Sequence, residues 1–102
     1  MKKFIAEKEI DVNEEGYLTD FSQWNKAVGN EIAKEHNIEM TNSHWEVVDW
    51  IQEKVNAGTQ LSIRGIKRSG VIDVKKFYHL FPGGPLKIST KIAGVPKPKS
   101  CI

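Results

Sequence analysis

Two amphipathic stretches lie almost end to end in this chain, and they constrain its fold more than any other feature. In DFSQWNKAVGNEIAKEHN, residues 20–37, Phe21, Trp24, Val28 and Ile32 recur at spacings of three and four and share one helical face. In TNSHWEVVDWIQEKVNAG, residues 41–58, Trp45, Val48, Ile51 and Val55 do the same. Asp20 is the expected cap of the first helix and His36-Asn37 its end. Thr41 or Ser43 caps the second, and Asn56-Ala57-Gly58 stops it. Gly29 is tolerated inside the first helix at some cost. Trp50 lies off the second stripe; it either widens the buried face or is exposed. A chain of 102 residues, 39% of them hydrophobic, forms one domain with a single modest core.

The flanking segments are shorter. KEIDVNEEGYL, residues 8–18, predicts a small β-hairpin: Ile10 and Val12 alternate with polar neighbours, Asn13 to Gly16 turn, and Tyr17 and Leu18 begin the return. Two strands alone are marginal, so this ribbon must pack on the helices. QLSIRGIKRSG, residues 60–70, reads as a short helix or turn that presents Arg64, Lys67 and Arg68, with Leu61 and Ile63 or Ile66 as core contacts. A last helix starts near Asp73, with Val74, Phe77, Tyr78 and Phe81 or Leu80 facing inward. Pro82-Gly83-Gly84-Pro85 ends it. The fold class expected is mainly α with a small β part, a compact helical bundle with an N-terminal β-hairpin.

Beyond Pro85, LKISTKIAGVPKPKSCI shows no helical period, no acids and two more prolines. The expected organisation is a helical domain over 1–85 and a flexible C-terminal arm over 86–102. The 17 steps from Gly84 to Cys101 span roughly 56 Å when extended, at about 3.3 Å per residue. As a flexible coil their typical span is about 23 Å.

Composition excludes several function classes. No apolar run approaches the roughly 20 residues of a membrane span, and MKKFIAEKEIDV turns acidic before any signal-peptide core appears; the expectation is a cytoplasmic protein. His36, His44 and His79 have no metal-ligand spacing, so neither metal nor cofactor is expected. His44, at a helix start beside Trp45, reads as a cap or packing residue. No phosphate-binding glycine loop and no nucleophile elbow is present. Net charge is +2, but residues 1–56 hold six lysines against twelve acids, whereas residues 57–102 hold nine Lys/Arg against Asp73 alone. That basic half suits an anion or an acidic partner surface. A helix-turn-helix over 41–70 would put Arg64, Lys67 and Arg68 near DNA, but Gly65 inside the recognition helix disfavours it. Direct nucleic-acid binding is not expected.

The single cysteine, Cys101, is the candidate reactive group, because the thiolate is the nucleophilic form of the side chain. Lys97 and Lys99 favour the thiolate; the adjacent terminal carboxylate opposes it. One cysteine cannot close an intrachain disulfide, though it can pair with another molecule or carry an adduct.

Four stretches, DVNEEGYLTDFSQWN, HWEVVDWI, YHLFPGGP and KIAGVPKPKSCI, span most of the chain. Through them the sequence resembles the DsrC/TusE family, named after the gamma subunit of dissimilatory sulfite reductase and the sulfur-relay protein TusE. A penultimate cysteine after K-I-A-G-x-P-K-P is the most specific element. The resemblance implies a helical body with a mobile C-terminal arm whose cysteine, here Cys101, carries sulfur as a persulfide or enters a disulfide or trisulfide. It also implies a sulfurtransferase role, with a TusBCD-like donor complex and an MnmA-like tRNA thiolase as partners. The alternatives are association with sulfite reductase alpha and beta subunits, as for DsrC, and a DsrC-related DNA-binding regulator. DsrC proper carries a second cysteine directly before K-I-A-G; here that position is Thr90, so the single-thiol, TusE-like role is favoured. Lys99-Ser100, where Thr-Gly is familiar in the family, is a milder departure. Within the arm, Lys91, Gly94, Pro96, Lys97, Pro98 and Lys99 are the expected partner-binding residues. The prolines stiffen it, Gly94 leaves a bend available, and the lysines, with Lys87, face acidic walls of a partner's channel.

Overall fold

The computed structural model describes residues 1–97. Strands β1 (Lys2–Ile5) and β2 (Lys8–Asp11) pair antiparallel, with Lys2 opposite Asp11 and Ile5 opposite Lys8. Helices α1 (Lys26–Glu35), α2 (Asn42–Asn56), α3 (Ile63–Ser69), α4 (Val74–Leu80) and α5 (Pro85–Ile92) follow. The N-terminal hairpin is present but starts earlier than residues 8–18 suggest. Its turn is Ala6-Glu7, both at positive φ (51° and 68°), the pattern of a primed two-residue hairpin turn. The Asn13–Gly16 reversal also exists, with the Asn13 Oδ1 accepting from the Tyr17 amide, but it closes only a single bridge between Val12 and Leu18.

The first predicted helix divides in two. The Asp20 carboxylate caps a 3-10 turn at Phe21–Gln23, and Asn25 caps α1 by accepting from the Val28 amide at 2.9 Å. Trp24, extended between them, leaves the helical row, so Phe21 is exposed while Val28 and Ile32 are buried. The helix ends at His36 as expected, with Asn37 at φ 60°. Gly29 has a packing reason: a Cβ there would lie 3.1 Å from the Ile92 carbonyl, because α1 and α5 approach closely.

In α2 the buried row is His44, Val47, Val48 and Ile51; Trp45, Trp50 and Val55 are half-buried around it. The Thr41 amide donates to His44 Nδ1 at 3.0 Å, and Nε2 lies 3.0 Å from the Leu80 carbonyl. These partners define a neutral imidazole: Nδ1 accepts, and Nε2–H donates to α4. Burial pushes the His44 pKa below 6.5, against the opposing pull of the Leu80 carbonyl. His36 is lowered too, by burial first and then by the Lys91 charge. The folded protein therefore binds fewer protons than the unfolded chain once pH drops past about 6.5, so the stability these rings contribute is complete above that value and lost below it. An NMR titration of the ring protons should place both midpoints below 6.5; a midpoint for His44 above that value would contradict the neutral cap.

Helix α4 begins as expected, capped by the Asp73 carboxylate, and the segment read as a short helix or turn is the helix α3, capped by the Ser62 hydroxyl. Phe77 and Phe81 are buried, but Tyr78 turns outward, 50% exposed. The largest departure lies after Pro85. Residues 86–92, expected to be the start of a flexible arm, form α5 together with Pro85, and Pro85, Leu86, Ile88, Ser89, Thr90 and Ile92 are buried. Pro85 occupies the first helical turn, where its fixed φ and missing N–H are no disadvantage. Helix α5 packs against α1, α2 and α4 and belongs to the core.

Candidate functional site

A helix ends with carbonyl groups that have no partner inside it. At the end of α5 two side chains from distant parts of the chain satisfy them. Trp24 Nε1–H donates to the Ile92 carbonyl and Gln52 Nε2–H to the Ala93 carbonyl, each at 2.8 Å. The backbone closes a Schellman motif at the same place, with the Gly94 amide on the Lys91 carbonyl and the Val95 amide on the Thr90 carbonyl, each at 3.2 Å. Gly94 takes the left-handed conformation this motif needs (φ 73°), and the Trp24 ring lies directly over it. Val95 is buried; Pro96 and Lys97 emerge on the surface.

Of the candidate residues, Lys91, Gly94, Pro96 and Lys97 fall in this described segment, whereas Pro98, Lys99 and Cys101 lie outside the described residues. Gly94 acts here as a helix terminator under Trp24. Lys91 turns towards the N-terminal ribbon, its ammonium 5.6 Å from the Tyr17 ring centre. Burial pushes its pKa down, helped by the charges of Lys87 and Lys3. Lys97 Nζ pairs with the Glu15 carboxylate at 2.9 Å, and that hydrogen bond holds the carboxyl below its ordinary pKa. The pair is exposed, so salt weakens it.

Thr90 is inside α5 and fully buried, with its hydroxyl donating to the Leu86 carbonyl at 2.7 Å and shared with Lys87 at 3.0 Å. Tyr17, also buried, donates to the same Lys87 carbonyl at 3.2 Å. The body thus clamps α5 from the ribbon, from Trp24 and from α2. Sequence reasoning missed Trp24, Gln52 and Tyr17 in these roles. The available signal was the three-four spacing of Leu86, Ser89, Thr90 and Ala93 after a proline suited to a first helical turn.

Pro96 and Lys97 line a groove of about 320 Å³ together with Val55, Gly58, Thr59, Gln60 and Leu61. Among the described residues no three His, Cys, Asp or Glu side chains are grouped to hold a metal ion. None of the described residues is a cysteine. What this region does is anchor the chain to the body as far as Val95, with Pro96 and Lys97 on the surface beyond it.

A family model described as "DsrC like protein" matches residues 4–102. Sulfurtransferase TusE of Salmonella typhimurium is 39% identical, over 93% of this chain and 94% of that protein. Among solved structures, Allochromatium vinosum DsrC superposes with a TM-score of 0.83 at 30% identity, covering both chains in full. The oxidized gamma-subunit of the dissimilatory sulfite reductase (DsrC) from Archaeoglobus fulgidus superposes with a TM-score of 0.80 at 27% identity, again over both chains in full.

Proposed function

The chain belongs to the DsrC-like family, and from that premise we propose that it is a sulfur carrier that loads and unloads Cys101. One observation carries the reading: the chain is similar over nearly its whole length to a sulfurtransferase, and its sole cysteine follows six residues after the anchored Val95. The Cys101 thiolate attacks the outer sulfur of a donor persulfide. One S–S bond forms as the donor's S–S bond breaks, the donor leaves as a thiolate, and no net oxidation occurs. The reverse arrangement at an acceptor thiol unloads the chain.

Thr90 supports relay over internal redox storage, since a chain with one thiol cannot close a disulfide on itself. The donor proposed is a TusBCD-like complex and the acceptor an MnmA-like tRNA thiolase, in a cytoplasmic pathway, as the family resemblance implies. The test is intact mass after incubation with a cysteine desulfurase, L-cysteine and the donor complex. The wild type should gain one sulfur atom, removable by excess thiol, and Cys101→Ser should gain none. A wild type that stays at its unmodified mass overturns the reading.

A further inference from the structure

We propose that the surface beside the chain's exit is the docking face for a sulfur-relay partner. It comprises the groove of Val55–Leu61 and its continuation over Trp50, Lys54 and Arg68. The partner meets this face with acidic groups set around the entrance to its own reacting sulfur. The proposal rests on the carrier role of Cys101.

Reach supplies the first argument. Val95 is buried and its amide is bonded to α5, so only six steps separate a fixed point from Cys101. Six residues span at most about 20 Å. A partner whose sulfur meets Cys101 must therefore bring its own surface against the body near the exit. Pro96 and Lys97 show which side, since both line the Val55–Leu61 groove. A second groove of about 280 Å³ continues from it through the shared residues Thr59 and Gln60, lined further by Trp50, Lys54, Ser62, Gly65, Arg68 and Ser69.

The chemistry of the lining supplies the second. Neither groove is lined by a carboxylate, whereas the cavities beside the N-terminal ribbon and below α1 are lined by Glu14, Glu15, Glu35 or Glu39. Lys54 and Arg68 border the second groove, and Arg64 and Lys67 are exposed on the same short helix. Among the described residues, none of these four cations has a carboxylate within ion-pairing distance. The Lys54 ammonium instead sits 5.9 Å from the Trp50 ring centre. A half-buried tryptophan in a groove bordered by Lys54 and Arg68, with no carboxylate in its lining, is the composition of an interface anchor that selects an acidic partner. The exposed acids of α2 (Glu46, Asp49 and Glu53) stand outside both linings.

The test uses the full chain and two sulfur sources, a persulfide-loaded TusBCD-type donor complex and inorganic polysulfide, with uptake followed by intact mass. Lys54→Glu with Arg68→Glu should slow transfer from the protein donor by about tenfold or more, as should Trp50→Ala, and both should leave polysulfide uptake at the wild-type rate. Lys75→Glu with Lys76→Glu, the same charge change on α4 away from the grooves, should transfer within about twofold of wild type. Unchanged transfer in the groove variants overturns the docking face while leaving the carrier role intact. Equal slowing in the α4 variant overturns it in favour of general charge attraction. Retention of tRNA alone that the groove variants lose, with protein transfer unaffected, reassigns the surface to nucleic acid. A wild type that takes sulfur from neither source overturns the carrier role and the docking face together.

Discussion

Gly94→Ala is expected to lower folding stability by about 2–4 kcal/mol, from two contributions that act together. The residue sits at φ 73°, where a side chain costs about 1 kcal/mol or more. An added Cβ would also lie 2.4 Å from Trp24 Cδ1 and 2.7 Å from Cγ. Those atoms belong to the rigid ring, whose indole N–H is held by the Ile92 carbonyl, so they have little freedom to retreat. Overpacking of this kind costs about 1–3 kcal/mol. At roughly 4–8 °C per kcal/mol for a domain of this size, the melting temperature should fall by roughly 10–30 °C. In a Trp24→Ala background the same change should cost only its backbone share, about 1 kcal/mol. A Gly94→Ala protein that melts within a few degrees of wild type would show that Trp24 does not cover Gly94 as described.

Phe81→Ala should cost about 3–5 kcal/mol, the usual range for removing a buried aromatic side chain. Phe81 is fully buried and meets two rings edge-on, His44 at 5.1 Å and Phe77 at 5.7 Å between centroids. It therefore fills the space beside the one imidazole that joins α2 to α4. Its loss opens that space to water and weakens the burial that holds His44 neutral. Two readouts are expected together: a lower urea midpoint, and a His44 titration moved up towards its ordinary value. A destabilised variant whose His44 midpoint is unchanged would mean that Phe81 fills volume without shielding the ring.

Much of the bundle was legible because local chemistry and tertiary role agree. Thr41 and Asp73 stand at helix starts, and Val48, Ile51, Phe77 and Phe81 are buried as their spacing requires. The misreadings fall where two physical meanings share one residue type. Ala6-Glu7 makes a turn usually given to Asn-Gly, so no turn signal marks it. Pro85 after two glycines reads as a stop, yet in the structure it begins α5. Thr90 then changes from an arm residue to a sealed core position. Trp24 looks like one member of an apolar stripe, but its indole N–H serves a carbonyl 68 residues away, a pairing that no local pattern encodes. The exposed Phe21 and Tyr78 fit their helical rows in sequence, while the packed surface covers a narrower stripe than the rows allow.

Anchoring the chain at Val95 also sets a local concentration. A thiol confined to the half-sphere within about 20 Å of its anchor is present at about 0.1 M to anything docked there. With the 56 Å tether suggested by an arm starting at Gly84, the same estimate gives about 5 mM. If Cys101 carries sulfur as proposed, burying α5 concentrates its thiol roughly twentyfold around a docked partner, and Trp24 and Gln52, which hold the end of that helix, set that concentration by fixing the anchor.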